Sequence, residues 1–156
     1  MPPNIAPPRL EVRNLVRRFD GRSVVDDVSL TIEPGQVTCL LGPSGCGKST
    51  TLRIIAGVDM QDEGTIHVDG RLVCDTVFRV PPERRHIGLM FQDFALFPHL
   101  SVAENVAFGL PRGSDTRGRV DALLERVSLS GFGPKYPHEL SGGEQQRVAL
   151  ARALAP

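Results

Sequence analysis

Short apolar segments separated by turns make up the first part of the chain. In "VVDDVSLTI", Val28, Leu30 and Ile32 alternate with polar residues, and "RLEVRNL", "GTIHVDG" and "HIGLMF" also fit short β-strands. "VTCLL", which follows the turn at Pro34 and Gly35, is apolar without alternation. Such a run is typical of a strand buried on both faces of a sheet. The pattern therefore predicts a strand-rich region that contains one buried strand.

Helical patterns occur once within this region and then dominate the rest of the chain. "TLRIIAGV" predicts a helix that closes at Gly57. Ser101 with Glu104 three residues later forms a capping-box pattern in front of a short helix. "SGGEQQRVALARALA" predicts a further helix, which Ser141 can cap. "GRVDALLERVSL" predicts another helix, whose apolar face consists of Val120, Leu123, Leu124 and Val127.

Composition limits the classes of protein to which the chain can belong. Its 156 residues can bury a core, and 18 basic against 18 acidic residues predict no broad attraction to nucleic acid. No apolar run approaches the roughly 20 residues that cross a bilayer. The three cysteines follow no metal-ligand spacing, which favours reduced thiols in the cytoplasm. Proline-rich residues 1–8 are expected to form a disordered tail.

The segment "GPSGCGKST" matches the phosphate-binding pattern G-x-x-x-x-G-K-[ST]. Glycines let the backbone curl so that successive N–H groups point at phosphate oxygens. Lys48 would reach the β- and γ-phosphates, and Ser49 would offer a hydroxyl to Mg²⁺. The predicted strand before the loop and the helix after it favour a triphosphate site over a chance glycine turn. The predicted nucleotide contacts are Gly42, Pro43, Ser44, Gly45, Cys46, Gly47, Lys48, Ser49 and Thr50.

A second glycine-rich helix start occurs in "LSGGEQQR". Ser141 can cap a helix whose first turn, through Gly142 and Gly143, leaves N–H groups open to an anion. Capped helix starts of this kind are common, so this segment alone does not identify a site. Because one nucleotide has one triphosphate, either both segments contact one ligand or the second serves the ligand of another subunit.

Three segments together resemble the ATP-binding subunits of ABC transporters: "GPSGCGKST", "LMFQDFALFPHLSVAENVAFGL" and "LSGGEQQRVALARALAP". The resemblance runs in register from about Leu10 to Pro156. It implies an α/β fold, a P-loop NTPase of the ABC ATPase type that is incomplete at its C-terminus. The β-subdomain and nucleotide-loop core would span 9–91, the Q-loop and helical subdomain 92–140, and the signature motif with its helix 140–156.

The resemblance also implies ATP and Mg²⁺ as ligands and a role for each matching residue. Two subunits of this family pair head to tail, and each ATP lies between the glycine-rich loop of one subunit and the signature of the other. Gln92 would contact Mg²⁺, together with Ser49, and would sense the attacking water. Phe19 takes the place of an aromatic residue that stacks on adenine, although its sequence pattern alone fits a core residue. The residues implied for the opposing subunit's ATP are Ser141, Gly142, Gly143 and Glu144.

The implied assembly is a solute importer. The subunit would be cytoplasmic and peripheral on the inner face of the cell membrane, bound to permease subunits and acting indirectly with a solute-binding protein, with no nucleic acid partner. "YPHELSGGEQQRVALARALAP" is similar to importers of ferric iron, polyamine or sulfate, and ferric iron is the expected substrate. A soluble ABC ATPase acting on ribosomes or DNA is the alternative, which the neutral charge and the compact segment after Gln92 disfavour.

Hydrolysis in this family also needs a Walker B aspartate, a catalytic glutamate and a switch histidine. No apolar run ending in Asp-Glu follows Lys48 in the sequence. We therefore expect an N-terminal fragment of a transport ATPase that has the binding half of the active site, or else a non-catalytic remnant of a truncated gene. We also expect the isolated chain to be marginally stable or prone to aggregation.

Other reactive or charged residues are interpreted as loop or surface residues without a catalytic or metal-binding role. Cys46 is interpreted as a tolerated small residue of the loop rather than a catalyst, because phosphoryl transfer needs no thiol. The basic cluster of Arg79, Arg84 and Arg85 is interpreted as a solvated loop. The histidines lack metal-ligand spacing and are predicted to lie at the surface: His67, His86, His99 and His138.

Overall fold

The computed structural model describes residues 7–110 and 115–155. Six of the eight residues of the predicted tail therefore lie outside the described residues. The chain divides into two compact units, Met1–Ile87 and Gly88–Pro156. Within the described ranges, no helix is long and apolar enough to span a bilayer.

The first unit contains a four-stranded antiparallel sheet. Strands β1 (Leu10–Phe19) and β2 (Arg22–Ile32) form one hairpin, and β3 (Glu63–Val68) and β4 (Arg71–Cys74) form another. The order across the sheet is β2-β1-β3-β4, so that β1 pairs with both β2 and β3. The predicted strands in "RLEVRNL", "VVDDVSLTI" and "GTIHVDG" are confirmed as β1, β2 and β3.

Helix α1 (Lys48–Ala56) contributes to the core of this unit. It ends where the sequence predicts, because Gly57 is its C-cap, with a φ of 85° in the left-handed region. Ile54 and Ile55 of α1 are almost fully buried. The core consists of Val12, Leu15, Val25, Ile54, Ile55, Ile66, Val73, Cys74 and Val80.

Arg85 is buried in the same unit, with 1% of its surface exposed. Its Nη1 donates hydrogen bonds of 2.9 Å to the carbonyls of Ile54 and Ile55, and its Nε donates one of 2.8 Å to Val80. The carbonyls in the last turn of a helix lack intrahelical partners and carry the negative end of its dipole. The predicted solvated position is therefore wrong for Arg85, because its guanidinium is buried against the C-terminal turn of α1.

Two predicted strands are absent from the described structure. Residues 37–41 and 86–91 belong to no strand. Val37 is 94% exposed and Leu41 is 90% exposed, so the run predicted to be the most buried strand lies open to solvent. A strand exists only where neighbouring strands accept and donate its backbone hydrogen bonds. No strand among the described residues pairs with either segment.

The second unit is helical, with α2 (Val102–Ala107), α3 (Thr116–Arg126) and α4 (Gly142–Ala153). The predicted capping box of Ser101 with Glu104 is present, and the four predicted apolar residues of α3 and its C-cap are buried. The core of this unit consists of Val102, Val106, Leu110, Val120, Leu123, Leu124, Val127, Leu129, Leu140, Val148, Ala151 and Ala155.

A buried amide holds the loop in front of α2. The side chain of Asn105 is 0% exposed, and its Oδ1 accepts a hydrogen bond from the N–H of Phe97. Its Nδ2 donates to the carbonyls of Phe97, Leu100 and Ser101. The loop therefore keeps one conformation in which every polar atom of the buried amide has a partner.

Candidate nucleotide-binding site

The glycine-rich loop leads directly into α1. Gly47 is the N-cap of the helix, with a φ of 89° in the left-handed region. A β-carbon at this position would overlap the carbonyl oxygen of Val24 in β2. Glycine is therefore required at residue 47 both for the backbone conformation and for the close passage of the loop beside β2.

Lys48 folds back over the loop that precedes it. Its ammonium donates hydrogen bonds of 2.8 Å to the carbonyl of Gly42 and 2.7 Å to that of Pro43, and it lies 3.5 Å from the sulfur of Cys46. All three donors of the ammonium thus point to atoms of the loop. The positive charge is held inside the curl of backbone, where the sequence predicts that phosphates bind.

The N-terminus of α1 has no side-chain cap. The first N–H groups of a helix have no intrahelical partners, and the helix dipole adds positive charge there. Ser49 is exposed in the first turn, and Thr51 anchors that turn because its hydroxyl donates a 3.0 Å hydrogen bond to the carbonyl of Gly47. In contrast, the N-cap residues of α2, α3 and α4 accept hydrogen bonds through their side chains. The α1 start is thus suited to an anionic ligand.

Phe19 lies at the end of the hairpin that passes this loop. It pairs with Arg22 across the turn of Asp20 and Gly21 and is 41% exposed. Arg22 is two residues, about 7 Å along a strand, from Val24, whose carbonyl faces Gly47. Phe19 and the point at which the glycine-rich loop passes β2 therefore lie toward the same end of one hairpin.

Gln92 is exposed at the start of a tight turn in the second unit. Phe94 and Ala95, which follow it, both have positive φ angles, 60° and 46°. Arg152 of α4 donates hydrogen bonds to the carbonyls of both residues, at 2.9 Å and 2.7 Å. This pairing fixes a backbone conformation that residues other than glycine rarely adopt.

The signature residues form the start of α4. Ser141 is the N-cap, and its N–H and hydroxyl each donate a 2.7 Å hydrogen bond to the carboxylate of Glu144. These two hydrogen bonds, that of the Ser141 hydroxyl first, hold the pKa of Glu144 below its ordinary value. Gly142 and Gly143 lie exposed in the first turn of the helix. Glu144 is therefore an ionised part of the cap, and the N–H groups of the two glycines remain for a ligand.

The predicted site residues fall on both units. The first unit holds Phe19 and residues 42–50 together around the β1–β2 hairpin, whereas the second unit holds Gln92 and residues 141–144 on separate elements.

Three residues that support these segments were missed by reasoning from the sequence: Arg17, Arg85 and Arg152. Arg17 lies two residues before Phe19 on a strand, a spacing that could have placed both side chains on one face. No sequence signal identifies the other two, because their partners are backbone carbonyls of distant segments.

This combination defines a P-loop nucleotide-binding protein: a glycine-rich loop that opens an uncapped helix, with a lysine folded over the loop. A model of the ABC transporter family matches residues 25–156. The chain belongs to that family.

Curated relatives are bacterial import ATP-binding proteins. The chain is 51% identical over 149 residues to the spermidine/putrescine import ATP-binding protein PotA of Nitrosospira multiformis, covering 93% of this chain and 40% of the relative. It is 52% identical to the sulfate/thiosulfate import ATP-binding protein CysA 2 of Chromobacterium violaceum, covering 94% and 40%. It is 51% identical to the Fe(3+) ions import ATP-binding protein FbpC 2 of Pectobacterium atrosepticum, covering 94% and 43%. The chain thus spans about two fifths of the length of these relatives.

Solved structures show the same fold. The ATP-binding cassette MJ0796, in a dimeric post-hydrolysis state bound to ADP and Pi, matches with a TM-score of 0.79 and 33% identity over 94% of this chain and 69% of that chain. A second dimeric structure of MJ0796, a bacterial ABC transporter cassette, matches with a TM-score of 0.80 and the same identity and coverage. The chain therefore has the P-loop NTPase fold of an ABC cassette.

Proposed function

We propose that the chain binds ATP with Mg²⁺ at the glycine-rich loop and is part of the ATP-binding subunit of an ABC importer. The observation that carries this proposal is the charge arrangement at residues 42–50. The ammonium of Lys48 lies within the backbone curl, next to the uncapped N-terminus of α1. A triphosphate has the charge and the acceptor oxygens that both features require.

A phosphate oxygen can take one of the three donors of Lys48 without disrupting the loop. The contact with Cys46 is the longest of the three, and a thiol sulfur is a weak acceptor. The two shorter hydrogen bonds, to the carbonyls of Gly42 and Pro43, keep the ammonium within the loop. Lys48 is therefore preorganised for the phosphates, and the N–H groups in the first turn of α1 complete the anion cradle.

Mg²⁺ prefers oxygen ligands and keeps several waters when it bridges phosphates, whose charge it would neutralise here. The exposed hydroxyl of Ser49 fits that chemistry, as does the side-chain oxygen of Gln92 in the proposed assembly. Across the described ranges, no cluster of three or more histidine, cysteine or acidic side chains could hold a metal ion. The ligands that we propose from the described residues are the hydroxyl of Ser49 and the amide oxygen of Gln92, together with phosphate oxygens.

A second copy of the subunit would complete the site. The exposed N–H groups of Gly142 and Gly143, at the start of a helix of 12 residues, suit the γ-phosphate of a nucleotide held by that copy. Ser141 and Glu144 would keep this turn in its capped conformation. The dimeric ATP-binding cassettes with the same fold support this pairing.

The proposed role in the cell is to energise import through permease subunits at the inner face of the cell membrane, with a solute-binding protein acting indirectly. The named relatives import polyamines, sulfate or thiosulfate, and ferric ions, at identities of 51%, 52% and 51%. These identities do not separate the three substrate classes, so ferric iron stays a prediction. The class we propose is a small solute of one of these three kinds.

The first test is ATP binding by the purified chain, measured by equilibrium dialysis with labelled ATP and Mg²⁺. We expect saturable binding that Lys48→Ala reduces at least about tenfold, since a charge-assisted contact with a phosphate is lost. The matched control is Lys135→Ala, which removes the only other lysine of the chain. Equal affinities of Lys48→Ala and the unaltered chain would contradict the proposal.

Hydrolysis and partners need separate measurements. A steady ATPase rate that Lys48→Ala abolishes would show that this chain hydrolyses ATP and would eliminate the non-catalytic remnant. For the partners, a tagged chain is crosslinked in its source cells and the adducts are identified by mass spectrometry. Membrane-spanning permeases are expected, whereas ribosomal proteins or DNA-bound complexes would favour a soluble ABC ATPase.

A further inference from the structure

The guanidinium of Arg17 lies against one face of the Phe19 ring. Its central carbon is 4.4 Å from the ring centroid, within the range of a cation–π contact. Arg17 pairs with Val25 in β2, and Phe19 is the last residue of β1. The Arg17 side chain is 19% exposed, whereas Phe19 is 41% exposed. One face of the ring is thus covered by a cation, and the exposed surface of the ring lies elsewhere.

Two carboxylates fix the orientation of this guanidinium. Nη1 of Arg17 lies 3.2 Å from Asp62, and Nη2 lies 3.3 Å from Asp59. Asp62 is itself held, because it accepts a 2.6 Å hydrogen bond from the backbone N–H of Arg18. A planar group bound at two of its corners cannot turn without breaking an ion pair. The plane against which Phe19 packs is therefore set by the segment between α1 and β3.

We propose that Arg17 is a positioning residue for the adenine base of the bound nucleotide. The inference rests on the proposed function, ATP binding, and on the expectation from the family resemblance that Phe19 stacks on adenine. Arg17 occupies one face of the ring, so the base has only the opposite face on which to stack. The cation also draws electron density from the ring, which lowers the repulsion between the π clouds of two stacked rings.

The resulting order is two carboxylates, a guanidinium, the phenyl ring and then the base. Only Phe19 touches the base, and Arg17 acts through it. Loss of Arg17 leaves the ring free to rotate about its side-chain torsions and so adds an entropy cost to base stacking. The phosphates are bound by different groups at residues 42–50. A change at Arg17 should therefore weaken the binding of a nucleotide without changing the binding of a triphosphate that lacks a base.

Titration calorimetry with ATP and with inorganic tripolyphosphate tests this division. We expect Arg17→Gln to weaken ATP binding about two- to fivefold, the range of one cation–π contact. Binding of tripolyphosphate should stay unchanged. The matched control is Arg18→Gln, which removes a neighbouring arginine that pairs with Glu63 instead, and it should leave both affinities unchanged.

Two further variants guard against misfolding and against an indirect effect. If Arg17→Gln fails to fold, Arg17→Lys retains a cation opposite the two aspartates. Its affinity for ATP should lie between that of the unaltered chain and that expected for Arg17→Gln. In a Phe19→Ala background, Arg17→Gln should have no further effect on ATP. Equal losses for ATP and tripolyphosphate, or an undiminished loss in that background, would overturn this inference alone. Failure of the unaltered chain to bind either ligand would instead overturn the proposed nucleotide site.

Discussion

Arg152, near the end of α4, donates a 2.7 Å hydrogen bond to the backbone carbonyl of Ala95, 57 residues earlier in the chain. A second hydrogen bond of 2.9 Å reaches the carbonyl of Phe94. Burial lowers the pKa of Arg152, but a guanidinium remains charged at any physiological pH. The helix that begins with the signature residues is thus tied to the turn that follows Gln92.

Replacement of Arg152 should loosen that turn. In Arg152→Gln, Phe94 and Ala95 lose the charged donor that offsets their left-handed backbone, and we expect the free energy of unfolding to fall by about 1–3 kcal/mol. Urea denaturation followed by circular dichroism measures this change. Arg147→Gln, an exposed position on the same helix, is the control and should fall by less than about 0.5 kcal/mol. Similar values for the two variants would mean that the hydrogen bonds of Arg152 contribute nothing to the free energy of unfolding.

The packing of Arg85 against Gly57 predicts a steric effect. A β-carbon at Gly57 would lie 2.7 Å from Nε of Arg85, a buried atom that cannot move into solvent. Gly57→Ala therefore combines left-handed backbone strain with a clash, and we expect a loss of about 2–4 kcal/mol.

The matched control for this prediction is Gly35→Ala. Gly35 also has a positive φ, 77°, but a β-carbon there would meet no atom within 4 Å. Backbone strain alone should cost about 1 kcal/mol. Thermal melts of the two variants give the comparison. A Gly57→Ala variant as stable as Gly35→Ala would show that the Arg85 side chain moves aside without loss of stability.

The capping boxes at the starts of α2 and α4 predict a dependence of stability on pH. Hydrogen bonds from Ser101, those of its backbone first, lower the pKa of Glu104, and those from Ser141 lower the pKa of Glu144. A carboxyl group whose pKa is lower in the folded state stabilises that state above its unfolded pKa, and the contribution is lost as pH falls through the folded pKa. The midpoint temperature of unfolding should therefore fall between about pH 5 and pH 3.

The double variant Glu104→Gln/Glu144→Gln tests this assignment. Glutamine retains a capping-box acceptor but does not ionise. We expect a lower midpoint than that of the unaltered chain at about pH 6 and a flatter dependence on pH below it. Glu125→Gln, at an exposed position of α3 outside any capping box, should leave the curve unchanged. Parallel curves for the double variant and the unaltered chain would assign the pH dependence to other groups.

Local signals predicted those parts of the fold whose stabilising contacts are close in sequence. The start of α2 at Ser101, the start of α4 at Ser141 and the end of α1 at Gly57 are all as predicted, because a cap and its partners lie within four residues. The sequence likewise predicts the match of residues 42–50 to a phosphate loop, since such a loop binds phosphates through its own backbone. Its placement beside Val24 was not predictable, because that contact joins distant segments.

The failures share one physical cause, which is dependence on partners elsewhere in the chain. The apolar run at 37–41 has the composition of a buried strand, but strand formation also needs adjacent strands. The charge of Arg85 predicts a solvated loop, although three backbone carbonyls hold its guanidinium inside, two of them from the distant residues Ile54 and Ile55. Composition predicts which structure a segment favours, whereas pairing with distant segments decides whether that structure forms.

The open apolar run at 37–41 predicts poor solubility of this chain. Val37 and Leu41 are almost fully exposed, and unpaired apolar segments with strand character promote association between chains. The double variant Val37→Ser/Leu41→Ser should change the free energy of unfolding by less than about 0.5 kcal/mol, because neither side chain is packed. It should also raise the concentration at which light scattering first detects aggregates. The control Val12→Ser, at a core position that is 1% exposed, should lose about 2–4 kcal/mol. If the double variant lost as much as Val12→Ser, the run would be packed in solution rather than open.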